Sequence, residues 1–419
     1  MPKPTANPSS HSSQGKPDTP AAGRASANSS TGRLGTVGIV GAGLMGRLLA
    51  LRLSEQGWRV TLFDRDHADG HQSCGHTGAG MLSPVAELES SEPMIGQLGF
   101  ESLNLWESLL GRLSQPVFFQ REGTLAVAHH LDAPELSHFA RMLQGKLADP
   151  TLQPWVKPMQ TGDAIRWRLA PEELSALEPQ LGERFRTGIF LPEEGQIDNR
   201  QLMPALAQAL KEQGIPWHSN TPVLSIAPHE IEDAQQSHHF DWVLDCRGLG
   251  ANSDWTQVRG VRGEIIRVHA PEVQLNRPIR LMHPRHPLYV VPRENQHYLI
   301  GATSLESEDF RPMTVQSAME LLSAAFTVHP GFAESTLQEM AVNCRPALPD
   351  NLPRIEINSG LIRVNGLYRH GFLISPKLAE LVCGLIATGS LNETDAAYES
   401  LITQTETDKT EEPTYAVAH

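Results

Sequence analysis

The chain has 419 residues, which is enough for two or three domains at roughly 100–200 residues each. Its 48 acidic and 34 basic side chains give a net charge of −14, which disfavours nucleic acid and anionic membrane surfaces as partners. The four cysteines are widely spaced, so they indicate neither a disulfide framework nor a thiolate metal site, and a reducing cytoplasm fits best. No apolar run reaches the roughly 18–20 residues that a membrane-spanning helix needs.

Both ends of the chain are polar. Residues 1–33 are mainly Ser, Pro, Ala, Asn and Gly, and such a segment buries too little apolar surface to offset the entropy lost on ordering. We therefore predict a disordered tail over 1–33 and a flexible acidic tail over 396–419, with the folded part of the chain between them.

The folded part opens with a strand, a glycine-rich turn, a helix and a second strand. Residues 37–40 form a short apolar run, a helical pattern of leucines begins at Leu44 and ends before Gly57, and residues 60–63 are strand-like. This order is typical of a parallel βαβ unit.

The turn in this unit has the spacing of a dinucleotide-binding site. Gly41 permits a tight turn, Gly43, which follows Ala42, lets the backbone approach a pyrophosphate, and Gly46 allows the helix to pack closely on the strand. Asp64 ends the second strand, 18 residues past Gly46, where a carboxylate can accept hydrogen bonds from ribose hydroxyls. The segment predicts a bound dinucleotide but does not choose between NAD and FAD.

Later segments alternate between the two periodicities. Residues 202–210 are helical, 223–226 and 241–244 are strand-like, and 260–303 contain strand after strand with little helix. Parallel βα units on either side of an antiparallel segment predict an interleaved α+β protein.

Two segments favour FAD. Residues 73–82 are rich in small side chains, which would let the backbone lie against a flat ring system. Residues 369–376 precede an apolar helix that runs to about 386, and we expect Ser375 to be its N-cap and Pro376 its first residue. The N-terminus of this helix could stabilise negative charge on a reduced flavin.

Together these residues resemble the D-amino acid oxidase group of FAD-dependent oxidoreductases, and most closely the bacterial glycine oxidases of thiamine biosynthesis. The similarity covers about 35–390, and each matching segment is weak by itself whereas their order and spacing are specific. The segments are 41–46, 77–82, 195–215, 221–226, 260–265, 289–293, 301–303, 345–346 and 368–376.

The resemblance implies a GR2-type FAD-binding domain with Rossmann-like βαβ units, interleaved with an antiparallel β-sheet substrate domain. The implied boundaries are 34–95, 187–253 and 341–395 for the FAD-binding domain, and 96–186 and 254–340 for the substrate domain.

The resemblance also implies the site. Arg345 would bind the substrate carboxylate with help from Tyr289, and Arg369 would lie beside the substrate, while no side chain acts as a catalytic base because the flavin takes the hydride. No metal is expected. The cofactor residues carried over are Gly41, Ala42, Gly43, Gly46, Asp64, His76, Thr77, Gly78, Ala79, Gly80, Met81, Val223, Gly248, His370, Gly371, Phe372 and Leu373.

Two further features concern the size of the substrate pocket and the attachment of the flavin. Ser304 stands where well-known members carry a bulky Met, which leaves the pocket size open. Members with covalent flavin carry a cysteine just past the carboxylate arginine, and residues 347–350 contain none, so we expect FAD to be bound non-covalently.

The implied activity is oxidative deamination of glycine or a similar small amino acid, with dioxygen as acceptor, and the protein could form a homo-oligomer. One alternative is a sarcosine or D-amino acid oxidase or a dehydrogenase with another acceptor. An alternative of a different class is an accessory flavoprotein without catalysis, although such a protein would not need the carboxylate-binding pair Arg345 and Tyr289.

Deletion of residues 1–33 should leave the FAD content and the melting temperature unchanged, because this composition offers nothing to a core. Visible absorbance and thermal unfolding of the full-length and shortened proteins check this expectation. Loss of soluble protein on deletion would show that the segment stabilises the fold.

Overall fold

The structure is a computed structural model, and it describes residues 34–161, 164–285 and 287–404. The predicted tail over 1–33 lies outside these residues. The α-helices are α1 (Leu44–Glu55), α2 (Cys74–Thr77), α3 (Pro93–Leu110), α4 (Ala133–Leu147), α5 (Gln153–Thr161), α6 (Pro171–Leu177), α7 (Asn199–Glu212), α8 (Val315–Val328) and α9 (Gly371–Thr388). Short 3₁₀ helices lie at Ala86–Glu89, His130–Asp132, Pro150–Leu152, Gly248–Ala251, Pro330–Glu334 and Glu393–Leu401.

The strands fall into two large sheets and two small three-stranded ones. They are β1 (Thr36–Val40), β2 (Arg59–Phe63), β3 (Met81–Leu82), β4 (Phe119–Gln120), β5 (Thr124–Val127), β6 (Gly188–Leu191), β7 (Gly195–Ile197), β8 (Trp217–His218), β9 (Val223–Ala227), β10 (Glu230–Asp233), β11 (Ser237–His239), β12 (Trp242–Asp245), β13 (Arg259–His269), β14 (Ile279–Leu281), β15 (Leu288–Pro292), β16 (His297–Gly301), β17 (Leu305–Glu306), β18 (Thr336–Ala347), β19 (Arg354–Asn358), β20 (Leu361–Asn365) and β21 (Ile402–Gln404).

The first large sheet has the strand order β21-β19-β20-β12-β1-β2-β8 and is mostly parallel. β1 pairs with β12 on one edge and β2 on the other, and four of its five residues are buried, which is why its sequence is a continuous apolar run. α1 begins four residues after β1 ends. Its N-terminus therefore lies at the carboxyl edge of this sheet, where open α/β sheets bind ligands.

The second large sheet has the order β17-β13-β16-β15-β14-β5-β6, with β18 also paired to β13. All of its pairs are antiparallel except β14 with β5. Alternate side chains of β13 face opposite sides, so that Ile265 packs with Val291 and Leu299 on one face, while Ile266 packs with residues of α8 on the other. The register places Tyr289 and Ile265 opposite Gly301 from its two sides.

The two large sheets are interleaved along the chain, since the strands of the first come from residues 36–63, 217–245 and 354–404. The predicted α+β class is therefore confirmed, as are the strands expected within 260–303. The exact domain boundaries stay predictions, because the described residues from Leu34 onward belong to one compact unit.

The predicted start of the last long helix is wrong. α9 begins at Gly371 with His370 at its N-cap, and Pro376 lies inside the helix. A proline there cannot donate a hydrogen bond to the carbonyl of Phe372. The indole N–H of Trp106 donates to that carbonyl instead, at 2.8 Å, so the helix continues through the proline.

α9 is also apolar enough, over 18 residues with mean hydropathy 1.4, to cross a membrane by composition alone. However, 72% of it is buried inside the fold, where it packs against α1 and α3. Its apolar composition is therefore that of a core helix.

The flexible tail predicted over 396–419 is wrong for residues 396–404, and its remaining residues lie outside the described ranges. Tyr398 and Leu401 are buried, and β21 extends the first sheet beside β19. The hydroxyl of Tyr398 donates to Glu101, and the ammonium of Lys377 donates to Asp395 at 2.8 Å. Composition alone did not predict this packing, because polar residues separate Tyr398 from Leu401 in the sequence.

Replacing Leu401 with Ala should lower the free energy of unfolding by about 2–4 kcal/mol, since it leaves a cavity against the core. Thr403→Ala, on the exposed part of β21, is the matched control and should change it by less than about 0.5 kcal/mol. Chemical denaturation of both variants measures the difference, and an unchanged Leu401→Ala would show that this segment adds no packing.

Candidate cofactor and substrate site

A cavity of about 320 Å³ lies where the two large sheets meet. The glycine turn and the segment after β2 line it from the first sheet, and residues of β15 and β18 line it from the second. The loop before β3, which belongs to a small sheet, lines it as well. It thus brings together most of the residues that the sequence predicts for a cofactor and a substrate.

The three glycines of the turn differ in their surroundings. Gly41 has φ +98°, and a Cβ there would lie 2.6 Å from the carbonyl oxygen of Cys246. A Cβ on Gly46 would collide with the carbonyl oxygen of Gly41, so this glycine permits close packing although it does not line the cavity. A Cβ on Gly43 would meet nothing within 4 Å. Open space in front of a cavity-lining glycine at a helix N-terminus suits a pyrophosphate.

Asp64 lines the cavity directly after β2. Its carboxylate accepts hydrogen bonds from the backbone N–H of Ala42 and, at 2.7 Å, from that of Asp66. Burial raises the pKa of this carboxyl, whereas these two N–H groups and the guanidinium of Arg47 oppose the rise.

The loop before β3 is held from behind by polar side chains. Thr77, Gly78, Ala79, Gly80 and Met81 line the cavity. The amide of Asn199 donates to the carbonyls of Gly75 and His76 at 2.9 and 2.7 Å, and Arg293 donates to the carbonyl of Ala79 at 2.5 Å. These bonds orient the loop with its small residues towards the cavity.

Two other predicted cofactor residues lie outside the lining. The ring of His76 packs on that of His71, and burial together with Arg200 lowers its pKa to about 4, so it is neutral. Val223 lies on β9 in a small antiparallel sheet and packs with Val40 and Phe63. Their roles stay predictions.

The N-terminus of α9 opens onto the cavity. His370, Gly371, Phe372 and Leu373 line it, as does Gly248. The first N–H groups of a helix have no partner within the helix and favour negative charge nearby. Negative charge that develops on a ring system in the cavity would thus be stabilised.

Arg345 lines the cavity from β18. Its guanidinium donates to the carbonyl of Thr303 at 3.2 Å through both Nη atoms, and it lies so close to Gly263 that a Cβ there would collide with it. Within the described part of the chain, no carboxylate comes within ion-pair distance of Arg345. Its charge is available to an anion.

Tyr289 lies beside this arginine in the lining, and its hydroxyl would be 3.0 Å from a Cβ on Gly301. Burial raises the pKa of Tyr289, although the guanidinium groups of Arg345 and Arg369 oppose that rise. The hydroxyl therefore stays protonated and can donate a hydrogen bond.

Arg369 differs from Arg345 because it has a carboxylate partner. Its Nε lies 2.9 Å from Oε2 of Glu87, whose other oxygen lies 2.9 Å from Nη2 of Arg280. Burial alone would raise the pKa of Glu87, but Arg369, with His370 and Arg280, holds it well below its usual range. Burial also lowers the pKa of His370.

Glu87 is a cavity residue that the sequence reasoning missed. It follows the predicted flavin loop by only a few residues, and an acid flanked by the apolar Ala86 and Leu88 was the available signal. Arg345 and Arg369 line the cavity with Glu87, whereas Arg280 pairs with Glu87 from outside the lining. The guanidinium groups outnumber the carboxylate, so this part of the cavity suits anions.

The residues present fit FAD on observations of their own. Gly43 leaves open space at the N-terminus of α1. The N-terminus of α9, more than 300 residues later in the chain, lines the same cavity. No cysteine closely follows Arg345 in the sequence, and non-covalent attachment of FAD stays a prediction.

The family model described as DAO, FAD dependent oxidoreductase, matches residues 36–385. A Rhizobium etli protein that bears the name thiamine biosynthesis oxidoreductase ThiO is 38% identical over 349 residues, which are 83% of this chain and 95% of that one. The glycine oxidase of Geobacillus kaustophilus is 26% identical over 369 residues, covering 84% and 92% of the two chains.

The crystal structure of iminodiacetate oxidase from Chelativorans sp. BNC1 superposes with a TM-score of 0.73 at 22% identity, covering 88% of this chain and 99% of that one. This likeness confirms the fold. The extent of the family match and the identity to the Rhizobium protein together confirm the resemblance, and the chain belongs to the DAO family of FAD-dependent oxidoreductases.

Proposed function

We propose that this FAD-dependent enzyme oxidises glycine or a similarly small amino acid to its imine, which hydrolyses to glyoxylate and ammonia when the substrate is glycine. Dioxygen takes up the electrons as hydrogen peroxide, and the reaction serves thiamine biosynthesis in the cytoplasm. The names of the Rhizobium and Geobacillus relatives support this substrate class and pathway.

One observation of the site carries the proposal, namely the unpaired guanidinium of Arg345. Backbone carbonyls fix its plane, and no described carboxylate neutralises it. A planar guanidinium binds a carboxylate through two parallel hydrogen bonds, which fixes both position and orientation. An amino acid held in this way would have its α-carbon placed by the clamp.

Tyr289 would add a second, directional contact to the same carboxylate. Because its hydroxyl is protonated and uncharged, it donates a hydrogen bond without another positive charge. Arg369 would lie on the other side of the substrate, where Glu87 holds it in place.

No side chain is assigned as a catalytic base. Glu87 is the one carboxylate near Arg345 and Arg369 in the lining, and its low pKa makes it a poor proton acceptor. An amino group that arrives neutral needs no base, so binding and orientation are the work left to the protein.

FAD, when bound, supplies the chemistry by accepting a hydride at N5. The turn Gly41 to Gly43 and the N-terminus of α1 would hold its pyrophosphate, and Asp64 its ribose. The loop 77–81 would line the isoalloxazine, and the N-terminus of α9 would stabilise the negative charge gained on reduction.

Purified enzyme mixed anaerobically with glycine tests the function. Bleaching of the flavin absorbance would support amino acid oxidation, and peroxide formed on admitting air would distinguish an oxidase from a dehydrogenase. Ser304 lines the cavity where a bulkier residue would fill it, so sarcosine, D-alanine and D-proline belong in the same series. A preparation without flavin, or one that no amino acid reduces, would overturn the proposal.

Gly43→Val should abolish most FAD binding, because the new side chain fills the space assigned to the pyrophosphate. Gly43 has φ −68° and ψ −167°, which valine also adopts, so the fold should persist without the cofactor. Flavin absorbance per protein measures the loss. Gly145→Val, on the exposed face of α4 with equally open surroundings, is the matched control and should keep full flavin.

Arg345→Ala should lower kcat/KM for glycine by roughly 30-fold to several thousand-fold, the equivalent of about 2–5 kcal/mol for one partner of a desolvated charge pair. Arg345→Lys should recover only part of this, because an ammonium lacks the planar fork. Tyr289→Phe should cost about 0.5–1.5 kcal/mol, as it removes one neutral donor. Steady-state kinetics with glycine measure all three.

The controls for these variants are the flavin content, which should stay normal, and Arg354→Ala, which removes a surface arginine that pairs with Asp350. Oxidation of an amine without a carboxylate should be affected far less than oxidation of glycine. Unchanged glycine kinetics in Arg345→Ala would refute the clamp and, with it, the amino acid substrate class.

A further inference from the structure

Arg47 is a fully buried arginine at the start of the dinucleotide helix, one residue after Gly46. Each of the three guanidinium nitrogens donates to a backbone carbonyl: Nε to Ala42 at 2.8 Å, Nη1 to Met203 at 2.6 Å and Nη2 to Ala68 at 2.8 Å. Within the ranges that the structure describes, none of its bonds is to a carboxylate.

These carbonyls belong to three segments that surround the cofactor cavity. Ala42 is in the glycine turn, and Ala68 is in the segment that follows Asp64. Met203 is in α7, the helix whose Asn199 holds the loop before β3. One guanidinium therefore joins the elements assigned to the pyrophosphate and the ribose to the helix that supports the isoalloxazine loop.

The surroundings are shaped around this side chain. Gly70 has φ +68°, and a Cβ there would lie 2.6 Å from Nη2 of Arg47, so the segment can approach the guanidinium only with a glycine at this place. The other side of the guanidinium lies over the ring of Trp217, 5.0 Å from its centroid. Burying a cation with no carboxylate bonded to it is costly, so we expect Arg47 to have a role beyond packing.

We propose that Arg47 is a positioning residue for FAD, which holds the Asp64 segment against the glycine turn so that the Asp64 carboxylate faces the ribose. This inference rests on the cofactor residues assigned under the proposed function, but not on the choice of substrate.

The positive charge of Arg47 also supports this role, because it favours the charged form of the Asp64 carboxyl. Burial lowers its pKa to about 10, against the opposing effect of the carboxylates of Asp64, Asp66 and Asp69, so it remains charged at neutral pH. Burial and the neighbouring Asp66 raise the pKa of Asp64, while Arg47 and the N–H groups of Asp66 and Ala42 lower it. Loss of Arg47 would therefore raise that pKa further, and acid would neutralise Asp64 at a higher pH.

The test compares Arg47→Met and Arg47→Lys with Arg52→Met. Arg52 lies on the same helix, is partly exposed and pairs with Glu380, so it controls for loss of a cation from α1. Diluting each holoenzyme and following the fluorescence of released FAD gives the dissociation constant between pH 5 and 8.

Arg47→Met should raise the FAD dissociation constant about tenfold or more, as expected when a charged donor that orients a binding segment is removed. Arg47→Lys should restore part of the affinity, since it retains the charge and one donor, and Arg52→Met should stay within about twofold of the parent. The affinity of Arg47→Met should also begin to fall at a higher pH than that of the parent and of Arg47→Lys.

An unchanged dissociation constant in Arg47→Met would overturn the proposal. An equal loss in Arg47→Met and Arg47→Lys, with a pH profile like that of the parent, would do so as well, because it would indicate packing alone. If Arg47→Met fails to fold, Arg47→Lys decides. A raised dissociation constant with the pH profile of the parent would support the proposal, and an unchanged dissociation constant would overturn it. Failure of the parent enzyme to oxidise any amino acid would refute the proposed function and leave these measurements intact.

Discussion

Backbone carbonyl groups around the cavity, and the arginines that bind them, are the constraint on which this site depends. Arg293 binds the carbonyl of Ala79, Arg47 that of Ala42, and Arg345 that of Thr303. A buried carbonyl without a donor is unfavourable, and an irregular loop has no ladder of strand partners to supply one. Arginine supplies several donors in one plane, so a single side chain can fix loops that are distant in sequence.

In each loop, a backbone carbonyl binds an arginine side chain while the small residues line the cavity. With their carbonyls satisfied from behind, the turn 41–46 and the loop 77–81 can present small residues to the cavity. The N-termini of α1 and α9 then add N–H groups without helix partners. The glycine-rich segments are therefore held by hydrogen bonds from side chains that pack around them.

Local patterns were enough to predict the fold class, the βαβ unit with its glycine turn, and the strands within 260–303. The errors came from distant partners. Pro376 lies inside α9 because Trp106, 270 positions earlier in the chain, binds the carbonyl that the proline leaves without a donor. Similarly, Tyr398 and Leu401 are buried by elements from elsewhere in the chain. Patterns among neighbouring residues carry no information about contacts between such distant parts of the chain.

The substrate side of the site shows the same limit with a functional consequence. Arg345 and Arg369 are the same residue type in neighbouring motifs, and both were expected beside a substrate. The structure distinguishes them by their partners, since Glu87 pairs with Arg369, whereas among the described residues Arg345 donates to backbone carbonyls alone. A guanidinium bound to carbonyls keeps its charge uncompensated, and an incoming carboxylate gains more from it than from one already paired. The proposed role of Arg345 in binding the carboxylate therefore depends on the location of an acid that the motifs did not include.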